Sequence, residues 1–270
     1  MAKEGDVLLK VEDVRVELGG RKILDGVSFE IKDRTRPGVT TGQIVALLGP
    51  SGVGKTTLLR SLAGLDTPTS GRILGEKDVP LAPGSVGVVF QNYPLLRHRT
   101  LLDNLVVAGG IAGLNKSKAT DQAKALLQRF GLAEQHRHFP SQLSGGQRQR
   151  AAIAQQLMHQ RQLLIFDEPF SGLDPAALVD VVEMLVEVAN MHDTNTLIII
   201  THDIRAALLC SDLVFMMGRN FSPEGKPISG ASIKRTYDLV ERGLAWHPHI
   251  EQDPRFGALE LEIKSAFRSL

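Results

Sequence analysis

Two stretches near the N-terminus alternate loosely between apolar and polar positions, Val7 to Leu18 and Ile23 to Ile31. A period of two predicts strands of a half-exposed antiparallel sheet. Ile44 to Leu48 is apolar throughout, Gly49 to Gly54 breaks the run, and Lys55 to Ala63 reads as a helix. The order is strand, glycine loop, helix. Val86 to Phe90 is a further buried strand. From Leu101 the spacing turns helical, over Leu101 to Ile111, Lys116 to Phe130 and Gly146 to Met158, as in a helical insertion. Leu163 to Phe166 and Leu197 to Ile200 are short apolar runs suited to central parallel strands. Between them Val179, Val182, Leu185, Val186 and Ala189 recur at helical spacing. Leu213 to Met217 is another strand, and Gly218 to Gly230, rich in glycine, proline and serine, reads as a linker. The tail predicts two helices. In the second, Phe256, Leu259, Ile263 and Phe267 share one face.

The chain has 270 residues, 43% of them hydrophobic, enough for a sizeable core in one domain with appendages. Its formal charge of +1 lacks the basic excess of a dedicated nucleic-acid binder. Cys210 is the single cysteine, so no intrachain disulfide forms and a reducing cytoplasm is expected. No apolar stretch follows Met1 to Asp6, so no secretory signal is read there. No apolar run approaches the ~20 residues of a membrane helix. If the protein serves a membrane, another chain must span it.

Against this background three segments carry chemistry. Gly49-Pro50-Ser51-Gly52-Val53-Gly54-Lys55-Thr56 fits G-x-x-x-x-G-K-[ST], followed by Thr57. Glycines let the backbone curl so that N–H groups face phosphate oxygens, and the following helix presents its positive end to the same anion. Lys55 can reach the β- and γ-phosphates, and the Thr56 hydroxyl can hold Mg²⁺. A glycine turn without a ligand is the plainer alternative, but the flanking strand and helix are the context that confirms this motif. Leu163 to Glu168 is an apolar strand ending in two carboxylates, where ligands sit in open α/β sheets. Asp167 can bind Mg²⁺, and Glu168, turned away by the alternation of strand faces, can act as general base on a water. Alone, two acids after a strand would more often be a solvated turn. Leu143-Ser144-Gly145-Gly146-Gln147 opens a helix with Ser144 as N-cap, a second anion-binding helix start.

In this order and spacing the chain resembles an ATP-binding cassette (ABC) ATPase, over about Val7 to Gly218. The phosphate loop matches the Walker A motif, Leu143 to Gln147 the signature, and Asp167-Glu168 the end of Walker B. Gln91 matches the Q-loop glutamine, Ser171 to Asp174 the D-loop, and His202 the switch histidine. The resemblance implies an α/β fold: a P-loop NTPase core with a mainly parallel sheet, an antiparallel β subdomain and an inserted helical subdomain. The ABC domain would cover 1–218, with the helical subdomain at about 92–157, a linker at 219–230 and a helical C-terminal extension at 231–270. It implies ATP and Mg²⁺ as ligands, with Gln91 near the metal and His202 on the γ-phosphate. It further implies that Ser144 to Gln147 closes over ATP held by a second cassette, and that Asp174 communicates across the dimer. The expected partners are that second subunit, transmembrane permease subunits docking on the insertion, and a periplasmic substrate-binding protein, with no nucleic acid. The expected place is the cytoplasmic face of the inner membrane, held peripherally.

Three departures accompany the resemblance. Leu18 stands where the family stacks an aromatic ring on adenine. The loop from Asp33 to Thr41 is longer than usual, which is thermodynamically cheap. The tail stretch Leu239 to Pro248 resembles importer cassettes of the nitrate, sulfonate and taurine group, although a helix packed on its own domain accounts for it equally well. Rival classes are a DNA-maintenance ATPase, which would carry coiled coils or zinc modules, and a soluble ribosome or iron–sulfur cassette. Ribosome types usually carry two cassettes, whereas one Walker A motif is present here. An export or lipid-extracting system is a third. A lone cassette without spanning helices favours an importer.

Overall fold

The computed structural model describes residues 5–34, 42–159, 161–192, 195–222, 224–245 and 249–267. In chain order the elements are β1 (Val7–Leu18), β2 (Arg21–Lys32), β3 (Gln43–Leu48), α1 (Lys55–Leu62), β4 (Ser70–Gly75), β5 (Gly87–Val89), α2 (Leu101–Ile111), α3 (Lys116–Arg129), α4 (Gly145–Leu157), β6 (Leu163–Asp167), α5 (Pro175–Ala189), β7 (Thr196–Thr201), α6 (Ile204–Cys210), β8 (Leu213–Phe221), β9 (Pro227–Asp238) and α7 (Pro254–Phe267). They fall into two units, Met1–Val86 with Gln162–Leu270, and Gly87–Arg161.

In the first unit the strand order is β4-β1-β2-β9-β8-β3-β7-β6. β1 and β2 form an antiparallel hairpin across Gly19-Gly20, and β4 pairs with the free side of β1. β3, β6, β7 and β8 run parallel, with β3 in register against β7 from Gln43 opposite Thr196 to Leu48 opposite Thr201. Every residue of β3 and of β7 is buried. A parallel strand covered on both faces must be apolar without alternation, which is the pattern these segments carry. Helices α1, α5 and α6 contact these strands.

The stretch 219–230, read above as a linker, is instead the end of β8, a turn and the start of β9. β9 pairs antiparallel with β8 from Leu213 opposite Asp238 to Phe221 opposite Pro227, and parallel with β2 at Leu24 opposite Ala231. The first of the two expected tail helices is therefore replaced by a strand, and only the second, α7, forms. The glycine that made the stretch look like a loop serves the packing of the strand. A Cβ at Gly230 would sit 2.6 Å from Asp25 Cβ on β2.

α7 buries Phe256, Leu259, Ile263 and Ala266 against Leu208 of α6, Met216 of β8, Tyr237 of β9 and the following Leu239, Leu244 and Ile250. Phe267 packs at the margin of this cluster. The tail helix is thus part of the core of its own unit. Residues 246–248 of the Leu239 to Pro248 stretch, residues 35–41 of the long loop and residues 1–4 lie outside the described residues.

The second unit holds β5, α2, α3 and α4. Thr100 caps α2 by accepting the Asp103 N–H, and Asn115 caps α3 by accepting the Lys118 N–H. Each such cap contributes ~1 kcal/mol. The fully buried Asn104 ties Leu96 to α2 through its side-chain amide.

Candidate functional site

The phosphate loop runs from the end of β3 into α1. Gly49 donates its N–H to the Thr201 carbonyl at 3.2 Å, fastening the loop to the end of β7. A Cβ at Gly49 would meet the Met217 carbonyl at 2.8 Å and Val53 Cγ1 at 3.1 Å. Gly54 has φ +108°, and a Cβ there would lie 3.0 Å from Leu24 Cδ2. Only glycine fits either place. Val53 is buried and anchors the loop, while Ser51 and Gly52 face solvent. Gly54 is the N-cap of α1 and offers no side-chain bond. The first N–H groups of α1 therefore lack a cap, as an anion site requires.

Lys55 is the charged centre of the loop. Its ammonium donates to the carbonyls of Gly49 at 2.8 Å and Pro50 at 3.2 Å, and lies 3.5 Å from Glu168 Oε1. Burial lowers its pKa from the usual lysine range, opposed by the charges of Glu168 and Asp167. Burial, and then the charge of Glu168, raise the pKa of Asp167, opposed by Lys55. The site holds a cation and two carboxylates in a partly desolvated space. Such a space strengthens every charge interaction with a bound ligand.

Glu168 follows β6 with φ +49°, a left-handed conformation that is strained for a side chain of this type. This turn, rather than strand alternation, separates it from Asp167. Its backbone N–H donates to the Ile200 carbonyl at 2.8 Å. Its Oε2 accepts the Thr201 hydroxyl at 3.3 Å and lies 2.9 Å from His202 Nδ1. Lys55, Glu168 and His202, three residues far apart in sequence, thus meet at the ends of adjacent strands. A carboxylate so held can accept a proton from water.

Asp174 caps α5, accepting the N–H groups of Ala176 and Ala177 at 3.0 Å each. In the second unit, Ser144 caps α4 as expected. It accepts the Gln147 N–H at 3.2 Å, and Gln147 Oε1 accepts the Ser144 N–H at 2.9 Å. This reciprocal box fixes the start of α4. Gly145 and Gly146 face solvent beside it, and Gln91 follows β5 in the same unit, also exposed. Thr56 is exposed and Thr57 half-buried in the first turn of α1.

The family profile described as ABC transporter matches residues 33–171. The chain is 40% identical to the Fe(3+) ions import ATP-binding protein FbpC of Agrobacterium fabrum, over 97% of this chain and 79% of that protein. It belongs to the ABC transporter family. It is 39% identical to the sulfate/thiosulfate import ATP-binding protein CysA 2 of Rhizobium meliloti, over 78% of this chain but 57% of that protein. It is also 34% identical to the glutamine transport ATP-binding protein GlnQ of Escherichia coli, over 82% of this chain and 92% of that protein. Among solved structures, CbiO1 of Clostridium perfringens, part of an ABC transporter complex, superposes with a TM-score of 0.72 at 28% identity, covering 88% of this chain and 91% of that one. A dimeric ATP-binding cassette in a post-hydrolysis state with ADP and Pi superposes with a TM-score of 0.68 at 25% identity, covering 86% and 99%.

As an ABC ATPase the chain binds and hydrolyses ATP. Reading the sequence by motif found the residues that hold charge or close a loop. It missed those that aim them. Thr201 and Asp203 had no signal of their own, although both flank His202. Asp203 caps α6 by accepting the Ala206 N–H at 2.9 Å, and its own N–H donates to Thr201 Oγ1 at 3.0 Å.

Proposed function

We propose that this chain is the nucleotide-binding subunit of a bacterial ABC importer, driving transport through separate membrane subunits. The observation that carries the reading is the seat of Glu168, with Oε1 3.5 Å from Lys55 and Oε2 2.9 Å from His202 at the rim of the phosphate loop. Residues Gly49 to Thr57 cradle the triphosphate, with Lys55 leaving its carbonyl partners for the β- and γ-phosphates. Glu168 takes the proton of the attacking water, and His202 faces the γ-phosphate. Mg²⁺, when bound, neutralises charge on the phosphate oxygens. Thr56 and Asp167, both of the first unit, would hold it. A set with one carboxylate suits this ion, which takes few protein ligands beside phosphates and water.

Ser144, Gly145, Gly146 and Gln147 serve the ATP of a second cassette, so the interface is two-fold and the same patch is used twice. Asp174 links the two sites. The dimeric post-hydrolysis cassette supports this arrangement. Import is supported by relatives named for import of iron(III) and of sulfate or thiosulfate, and transport more broadly by those named for cystine, arginine and glutamine. Several of these are longer, and the chain spans only 55–57% of some. No helix among the described residues is long and apolar enough to cross a membrane, so we place the subunit peripherally, against permease subunits. A periplasmic binding protein would deliver the cargo, and the narrower likeness to nitrate, sulfonate and taurine importers rests on the tail alone. Exposed Leu18 is the apolar platform we assign to adenine.

Lys55→Ala tests the reading at its centre. It should abolish turnover and weaken ATP affinity at least ~10-fold, since a phosphate-facing cation is lost. Wild-type hydrolysis in this variant would overturn the assignment.

A further inference from the structure

The end of β7 does more than present His202. Thr201 is fully buried, so no water competes for its hydroxyl. That hydroxyl accepts the Asp203 N–H at 3.0 Å. One side of its oxygen is thereby filled, and its proton is left to point at Glu168 Oε2, 3.3 Å away. The next residue back, Ile200, holds the Glu168 N–H through its carbonyl at 2.8 Å. Two consecutive residues of one buried strand therefore grip Glu168, one by its backbone and one by its carboxylate.

We propose that Thr201 is a positioning residue for hydrolysis, which fixes the plane of the Glu168 carboxylate so that the oxygen on the phosphate-loop side is presented to the attacking water. A carboxylate oxygen has about two lone-pair sites. Those of Oε2 are engaged by Thr201 and by His202 Nδ1 at 2.9 Å. Oε1 faces Lys55 at 3.5 Å, on the side of the phosphate loop. A second hydrogen bond to Oε2, from the Thr201 hydroxyl beside His202 Nδ1, restrains the carboxylate from swinging out of this plane. The bond is long for O–H···O, as catalytic hydrogen bonds often are before substrate tightens them. The left-handed backbone at Glu168, φ +49°, sets where the side chain starts but leaves its own torsions to be fixed by such contacts.

The inference rests on Glu168 acting as the general base, so the experiment includes Glu168→Gln beside Thr201→Val, Thr201→Ser and Thr201→Cys. Each is assayed for kcat and KM for ATP, and for thermal melting. Thr201→Val keeps the volume and removes the hydroxyl. Its kcat should fall about 10- to 100-fold, the range a displacement of ~1 Å costs, while KM stays within about twofold. Thr201→Ser should hold kcat within about threefold of wild type, and Thr201→Cys, a weak donor, should lie between Ser and Val. Should the valine variant not fold, the order of Ser and Cys still decides. An unchanged kcat in Thr201→Val, or a Thr201→Ser protein as slow as Thr201→Val or Thr201→Cys, overturns the positioning role. A Glu168→Gln protein that hydrolyses ATP normally overturns the general-base reading instead, which separates the two failures.

Discussion

Burial makes ionisation less favourable for both Lys55 and Asp167 than it is in water. Burial lowers the lysine pKa and raises the aspartate pKa. For Asp167 the consequence has a definite sign. With its folded pKa above the unfolded one, the native state binds the proton more tightly. The charged carboxylate therefore lowers stability at neutral pH, and that penalty fades as pH falls through the folded pKa toward the unfolded value of ~3.9. Asp167→Asn should then be more stable than the wild type at pH 7 in the absence of nucleotide, with the gap closing on acidification, while Mg²⁺-dependent turnover falls. Urea unfolding of both proteins across a pH series checks this. A gap that is missing at pH 7 or that widens in acid would contradict it. At this scale the phosphate loop and the two acids were legible in the sequence, because a motif is a list of residue types. What aims them was not. The positive φ of Glu168 and the grip of Thr201 arise from Ile200, Thr201 and Asp203, which are ordinary residues until β7 lies beside β6.

Elements marked by an apolar run or a hydrophobic period were legible to within a few residues: β1, β2, β3, β6, β7 and helices α2 to α5. Each of those missed has its own physical reason. β4, Ser70–Gly75, is an outer strand whose first three residues are exposed, so it carries no alternation. α6 has seven residues, too few to show a helical period. β9 is rich in turn formers, yet backbone pairing on both sides outweighs their local preference. For α7 the apolar stripe was legible, and its burial against α6, β8 and β9 now gives it a role in stability. Phe256 is 1% exposed, so Phe256→Ala should cost about 3–5 kcal/mol by urea unfolding, as for other large core deletions. Removing Asp253 to Leu270 should lower the melting temperature while turnover per folded molecule persists. An unchanged melting temperature with raised basal turnover would instead assign the tail an inhibitory role.

For the molecule as a whole, the signature and the phosphate loop belong to different units of one chain, and the proposed reaction uses them from two chains. On that proposal ATP acts as an adhesive between copies, and hydrolysis dissolves it. Glu168→Gln should bind ATP, fail to cleave it and accumulate as a dimer, seen as a doubling of the scattering mass on adding ATP. A variant that stays monomeric at saturating ATP would mean that the membrane subunits are needed to bring the cassettes together. Such a two-fold partner would leave little mark in a single sequence, because the residues proposed to meet it are the same polar and glycine positions that serve a helix cap within one chain.

The placement of β9 bears on how a ribosome delivers this protein. β9 lies between β2 and β8, and it is the last strand of the sheet to be synthesised. At ordinary rates of ~5–20 residues per second, Leu24 waits roughly ten to forty seconds for Ala231 to emerge. Throughout that interval the edge of β2 stays open, joined near its end by the edge of β8, and neighbouring chains can capture them. A premature stop codon just before Pro227 would therefore yield a sheet in two pieces, prone to aggregate and to occupy chaperones, and not a trimmed cassette.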